Sequence, residues 1–226
     1  MQRMKRSDKK ISRVSNRYWH DRSDLLYFQY VDFLVRMVGR NAQSILDVGS
    51  NSCPYLEWFD WIPYKFSIDI QCPYYSWRVH GKKIDFLNYT NNREFDLCLC
   101  LQVLEHIHDA KSFAQKLLKV GHHLIVTVAY KWPSGTDSRH VQDPVDEKKL
   151  DTWFDRSPNY EIIVTEPITE KRRLVCYYCR DNPTKKLRID DLRTRLIRTP
   201  LRASRARYAQ RIALSAQDLL WRSWQD

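Results

Sequence analysis

Asp47 and Gly49 stand at the end of the apolar run SILDV, residues 44–48, and Asp69 stands near the end of a second run, YKFSIDI, residues 64–70. If the two runs are strands, Gly49 opens a tight turn in which backbone N–H groups can approach a ligand. An acid at the end of the second strand suits hydrogen bonds from ribose hydroxyls. Three histidines, His106, His108 and His140, offer imidazoles able to take a proton near neutral pH. Gln102, Glu105 and His106 have the i, i+3 and i+4 spacing that puts side chains on one face of a helix start. These types and spacings suit a nucleotide-like ligand held at strand ends beside a proton acceptor.

The elements that must position these residues follow from the apolar pattern. Leu25, Leu26, Phe28, Phe33, Leu34 and Met37 have near-helical spacing and predict a covering helix over residues 24–39. SILDV is the first strand, PYLEWF a short helix, YKFSIDI the second strand and KKIDFL the third. FDLCLCL, residues 95–101, is a continuous apolar run of the kind buried in a parallel sheet. VLEHIHDAKSFAQKLLKV follows as one helix, HHLIVTVAY as another buried strand and EKKLDTWF as a late helix. YEIIVTE and RRLVCYY read as a closing antiparallel hairpin. This order predicts an α/β fold, a Rossmann-like doubly wound sheet that is mostly parallel with a C-terminal antiparallel hairpin, plus helical N- and C-terminal extensions. The expected division is a basic segment and covering helix over 1–39, a core over 40–181 and a basic helical tail over 182–226.

Composition bounds the setting. The net charge of +11 sits at the ends: residues 1–22 hold eight Lys/Arg against two acids, residues 181–226 hold eleven against five, and the rest of the chain is at −1. The N-terminal segment lacks the apolar stretch of a secretory signal, which predicts a cytoplasmic protein. The run LLYFQYVDFLVRMV is interrupted by Gln29, Asp32 and Arg36, short of the roughly 20 apolar residues that span a bilayer. Of six cysteines only Cys176 and Cys179 form a CxxC, and in a strand residues three apart face opposite ways, so neither metal nor redox use is expected of them.

ILDVGSNSCPY, the IDI of the second strand and the QVLEH after the fourth together resemble the class I S-adenosylmethionine-dependent methyltransferase family, in particular its small-molecule and sugar O-methyltransferases, over about residues 40–180. The resemblance implies S-adenosyl-L-methionine as cofactor. It implies Asp47, Gly49 and Asn51 at the methionine end, Asp69 with the adjoining Ile70 at the ribose, Asp85 and Phe86 beside adenine, and Gln102 close by. Asn51 and Cys53 stand where the family usually has its second and third glycines. The segment TDSRHVQDPVDEKKL corresponds to one that lines the acceptor pocket, which favours His140 as the catalytic base and leaves His106 as the second candidate. Some relatives hold a divalent metal ion with Glu-x-x-Glu-His and a later His. The corresponding set here is Glu105, His106 and His140, with Gln102 replacing one carboxylate that a hard cation would prefer.

Other chemistries fit less well. The GxGxxG fingerprint of nicotinamide dinucleotide binding is absent. Nucleobase amino-methylation usually shows Asn/Asp-Pro-Pro-aromatic where this chain has Leu101-Gln102-Val103-Leu104, and Cys53 and Cys72 precede prolines instead of following them. An oxygen acceptor remains, a hydroxyl of a sugar, glycan or small metabolite, with Tyr130 and Trp132 able to stack on a sugar ring. The glycine-poor first turn also fits a non-catalytic binding or assembly protein. In the tail, Leu201, Tyr208, Ile212, Leu219 and Leu220 form an apolar stripe among arginines, suited to an anionic membrane surface at the inner face, an acidic partner or a second copy of the chain. The arginines also leave RNA open as a partner.

Overall fold

The computed structural model describes residues 19–187 except 21, 91 and 92; the N-terminal basic segment before residue 19 and the apolar stripe of the tail lie outside the described residues. Seven strands, β1 (Ser44–Val48), β2 (Tyr64–Asp69), β3 (His80–Lys83), β4 (Phe95–Leu101), β5 (Gly121–Ala129), β6 (Tyr160–Thr165) and β7 (Arg172–Cys179), form one sheet. Their order is β3-β2-β1-β4-β5-β7-β6. β1 to β5 are parallel, and β7 is antiparallel to both β5 and β6. The expected sheet and closing hairpin are borne out. What periodicity did not carry is that β7, not β6, pairs with β5.

Helix α1 (Leu26–Val38) covers one face of the sheet, and α2 (Ala110–Val120) with α3 (Glu147–Phe154) covers the other. The continuous apolar character of β4 follows: Leu97 and Leu99 pack in the α1 layer while Cys98 and Cys100 pack in the opposite one. Each large side chain so buried contributes about 1.5–3 kcal/mol. β7 is buried on both faces in the same way, and it puts Cys176 and Cys179 in different layers, as their spacing requires; both are free thiols. α1 has no capping side chain of its own. The Glu166 carboxylate, from the turn after β6, accepts the backbone N–H groups of Leu26 at 2.7 Å and Tyr27 at 3.2 Å instead.

Two expected elements need correction. VLEHIHDAKSFAQKLLKV is not one helix: Leu104–His106 forms a single 3-10 turn, and α2 begins only at Ala110, where the Asp109 carboxylate accepts the Ser112 N–H at 3.0 Å. The break arises because Gln102 leaves β4 with φ +58 and the chain must cross the top of the sheet before descending. The third strand overlaps KKIDFL only at Lys82 and Lys83, running from His80 to Lys83. Asp85 instead caps a 3-10 turn, Phe86–Asn88, that buries Phe86 against Phe113. The short helix expected of PYLEWF is present as a 3-10 helix, Pro54–Trp58. At the other end, residues 182–187 stay with the sheet. Asn159 donates to the carbonyls of Asn182 at 2.7 Å and Lys185 at 2.8 Å, its own carbonyl accepts the Leu187 N–H at 2.9 Å, and Leu187 packs on the α1 layer. No helix among the described residues is long and apolar enough to cross a membrane.

Candidate active site

The strand order reverses between β1 and β4, and a crevice therefore opens at their carboxyl ends. The turn after β1 forms its floor. Gly49 has φ +82, and a Cβ there would stand 2.4 Å from Val103 Cγ2, so this position admits only glycine. The next glycines of the resembled pattern are missing, yet Asn51 and Ser52 take the left-handed conformation, with φ +44 and +58. Their backbone is held from β2's side: Asp69 Oδ2 accepts the Asn51 N–H at 2.9 Å, and the Cys72 carbonyl accepts the Ser52 N–H at 2.7 Å and its hydroxyl at 3.3 Å. Hydrogen bonding to a neighbouring loop thus offsets the conformational cost that glycine would avoid.

A cavity of about 510 Å³ lies above this turn. Gly49, Asn51, Asp69, Ile70, Asp85, Phe86 and Gln102 all line it, and so do Glu105, His106 and His140. Asp47 does not. It is fully buried beneath the turn, where the Tyr55 hydroxyl donates to its Oδ1, and its Oδ2 has no partner. Burial pushes its pKa up to about 8. Asp47 is thus a support of the turn and not part of the cavity wall. Asp69 has a double duty, since its Oδ1 also accepts the N–H groups of Gln71 at 2.7 Å and Cys72 at 2.8 Å. With about four lone-pair positions on a carboxylate, roughly one is left for a ligand.

His140 comes from the loop between β5 and α3. The Glu105 carbonyl anchors that loop by accepting the N–H groups of Val141 at 2.9 Å and Gln142 at 3.2 Å. His140 Nδ1 donates to Asp143 Oδ2 at 2.6 Å, with the two side chains only 5% and 1% exposed. This pairing fixes the imidazole tautomer and leaves Nε2 as the acceptor. Trp132 stacks on the ring with centroids 5.6 Å apart, and His106 meets it edge-on at 4.7 Å. His106 donates from Nδ1 to the Arg139 carbonyl at 3.0 Å, and burial lowers its pKa, which favours the neutral imidazole. His108 is exposed and outside the cavity lining. Asp143 joins the site through the tertiary structure, and the His140-x-x-Asp143 spacing is its only local signal.

The metal site expected of Glu105, His106 and His140 does not form. Glu105 is fully buried, its Oε1 accepts the Ala129 N–H at 3.1 Å, and burial raises its pKa to about 7. Each histidine has its Nδ1 committed to an oxygen of the protein. Among the described residues no three His, Cys, Asp or Glu side chains are placed to hold a metal ion. Gln102 departs from expectation as well, since it is not on a helix face and its amide donates to the Thr127 hydroxyl at 3.2 Å.

Solved structures share this fold. The N-methyltransferase NodS from Bradyrhizobium japonicum WM9, solved with S-adenosyl-l-homocysteine, superposes with a TM-score of 0.54 at 15% identity, over 68% of this chain and 87% of that one. The 1,6-didemethyltoxoflavin-N1-methyltransferase of Burkholderia thailandensis, solved with 1,6-didemethyltoxoflavin and S-adenosylhomocysteine, superposes with a TM-score of 0.55 at 14% identity, over 78% of this chain and 91% of that one. This chain has the class I methyltransferase fold. No protein-family model and no curated protein matches it. At such identities the likeness concerns the fold, and the nitrogen acceptors of the two relatives remain theirs. Within the methyltransferase fold, the cavity occupies the strand ends that the topology leaves open, with Gly49 at its floor and His140 on the far wall.

Proposed function

We propose that the protein is an S-adenosylmethionine-dependent methyltransferase acting on a hydroxyl of a sugar, glycan or small metabolite, with His140 as its general base. The observation that carries this reading is one cavity, about 510 Å³, that joins the strand-end residues Gly49, Asn51, Asp69, Asp85 and Phe86 to His140. The fit to the cofactor rests on the glycine-only turn, whose backbone a ligand can approach, and on two partly free acids at strand ends, Asp69 and Asp85. Phe86 offers an apolar wall for a purine.

The cofactor supplies an electrophilic methyl group on a sulfonium. The protein's task is then to align a nucleophile in line with it and to take a proton if that nucleophile is a hydroxyl. Asp143 holds the Nδ1–H of His140, so Nε2 is the site that receives the proton, and the carboxylate stabilises the imidazolium that results. Trp132 and His106 hold the ring in place by contact on its face and edge. Glu105 anchors the loop that carries the base to the end of β5. Calorimetry with S-adenosylhomocysteine tests the cofactor assignment, and transfer of labelled methyl to a panel of hydroxyl and amine acceptors tests the chemistry. Absence of cofactor binding by the folded protein would overturn the reading in favour of a non-catalytic binding protein.

A further inference from the structure

Charge is unevenly placed around the cavity: Asp69 and Asp85 stand near the strand ends proposed for the cofactor, with Arg22 also in the lining, whereas Lys171 and Arg173 stand beside Trp132. Another acid of the lining, Asp137, is already bound by Arg139, which donates from Nε at 3.0 Å and NH2 at 2.7 Å. Arg173 projects from β7 and is only 8% exposed. Its NH1 reaches Glu166 Oε1 at 3.3 Å, but that carboxylate also serves the N–H groups of Leu26 and Tyr27, and Arg173 Nε has no partner. A buried guanidinium short of acceptors carries an uncompensated desolvation cost, which an oxyanion would relieve.

Two cations approach Trp132, with Lys171 Nζ 4.6 Å and Arg173 Cζ 5.7 Å from ring centroids. A shallow hollow of about 200 Å³ continues from this end of the cavity, shares Trp132 and Lys171 with it, and adds Lys131 and Arg172 against a single acid, Glu170.

We propose that the acceptor carries an oxyanion, a carboxylate or a phosphate, which Lys171 and Arg173 hold beside the Trp132 ring while its hydroxyl meets His140. This rests on the methyl-transfer reading and narrows the acceptor to acidic molecules. A neutral sugar would leave Lys171 without a counter-charge and Arg173 with only the Glu166 carboxylate it shares with two backbone N–H groups, so the site discriminates against it.

The test is titration of the full chain with glucuronate, inorganic phosphate and glucose, followed by tryptophan fluorescence and calorimetry, with and without S-adenosylhomocysteine. Glucuronate or phosphate is expected to bind and glucose to bind about tenfold more weakly or not at all; the tighter of the two anions names the group. Lys171→Gln, an exposed change in the β6–β7 turn, should weaken anion binding about fivefold, the scale of one exposed charge contact, and high salt should do the same. Arg173→Gln should weaken it further where circular dichroism shows the fold retained. Equal binding of glucose and the anions would overturn the proposal, as would unchanged anion affinity in Lys171→Gln. Binding of a short single-stranded RNA in place of the small anions would replace it with a nucleic-acid acceptor. Anion binding without any S-adenosylhomocysteine binding would overturn the methyl-transfer reading and leave the anion site standing.

Discussion

The Asp69 carboxylate receives the backbone N–H of Asn51 at 2.9 Å, so the acid that ends one strand holds the turn that follows its neighbour. The same side chain accepts two further N–H groups, from Gln71 and Cys72. Asp69→Ala should therefore do more than remove a ligand contact. S-adenosylhomocysteine affinity should fall about tenfold or more, and stability by about 1 kcal/mol, since only the Cys72 N–H is partly buried while those of Asn51 and Gln71 can turn to water. Asp69→Asn keeps one accepting oxygen and should fall between wild type and alanine. Calorimetry and urea denaturation read the two effects separately, and full affinity in the alanine variant would remove Asp69 from the cofactor site.

His140→Ala and Asp143→Asn should each reduce methyl transfer about 100-fold or more, the scale of a lost or misoriented base. Neither residue shares a hydrogen bond with the cofactor side, so S-adenosylhomocysteine binding should stay near wild type. An acceptor whose methylation proceeds at full rate in His140→Ala would have a nucleophile that needs no base.

Two buried carboxyls should give the folded protein an unusual pH dependence. Burial raises Asp47 to about 8 and Glu105 to about 7, and each has one oxygen without a hydrogen-bond partner. A carboxyl whose folded pKa lies above its unfolded one binds its proton more tightly in the native state, so stability falls as pH rises through the interval between the two values. Denaturant midpoints should therefore decline from about pH 5 to about pH 8. Asp47→Asn and Glu105→Gln together should flatten that slope; a slope that persists in the double variant would place its origin elsewhere.

Truncation should distinguish the fold's edge from its appendage. A chain ending after Leu187 keeps the bonds of Asn159 to the 182–187 segment and should bind S-adenosylhomocysteine like the full chain. A chain ending at Asp181 loses those bonds and the Leu187 contact, and its melting temperature should be several degrees lower. If loss of residues 188–226 weakens cofactor binding as well, the basic tail is part of the site and not an addition to it.

The order of strands and helices was legible in the sequence because β1, β4, β5 and β7 are buried on both faces and read as unbroken apolar runs, while α3 and the final hairpin keep clear periodicity. Gly49 and the acid at Asp69 were legible for a related reason: strand ends in a parallel sheet meet at one edge, so local position already implies proximity. Local pattern failed where the chain obeys distant partners. The apolar spacing after β4 reads as one helix, but a left-handed Gln102 and the burial of Glu105 under the β5 end break it into a turn and a later helix. Asp47 and Asp69 look alike in sequence, yet only the packing of Tyr55 decides that one is sealed beneath the turn while the other faces the cavity. The pairing of His140 with Asp143, the N–H groups of α1 that Glu166 takes up 140 residues later, and the approach of Lys171 and Arg173 to Trp132 all depend on β7 entering the sheet beside β5 and on the loop fixed by Glu105. Those contacts join segments far apart in the chain, and no spacing within a single segment encodes them.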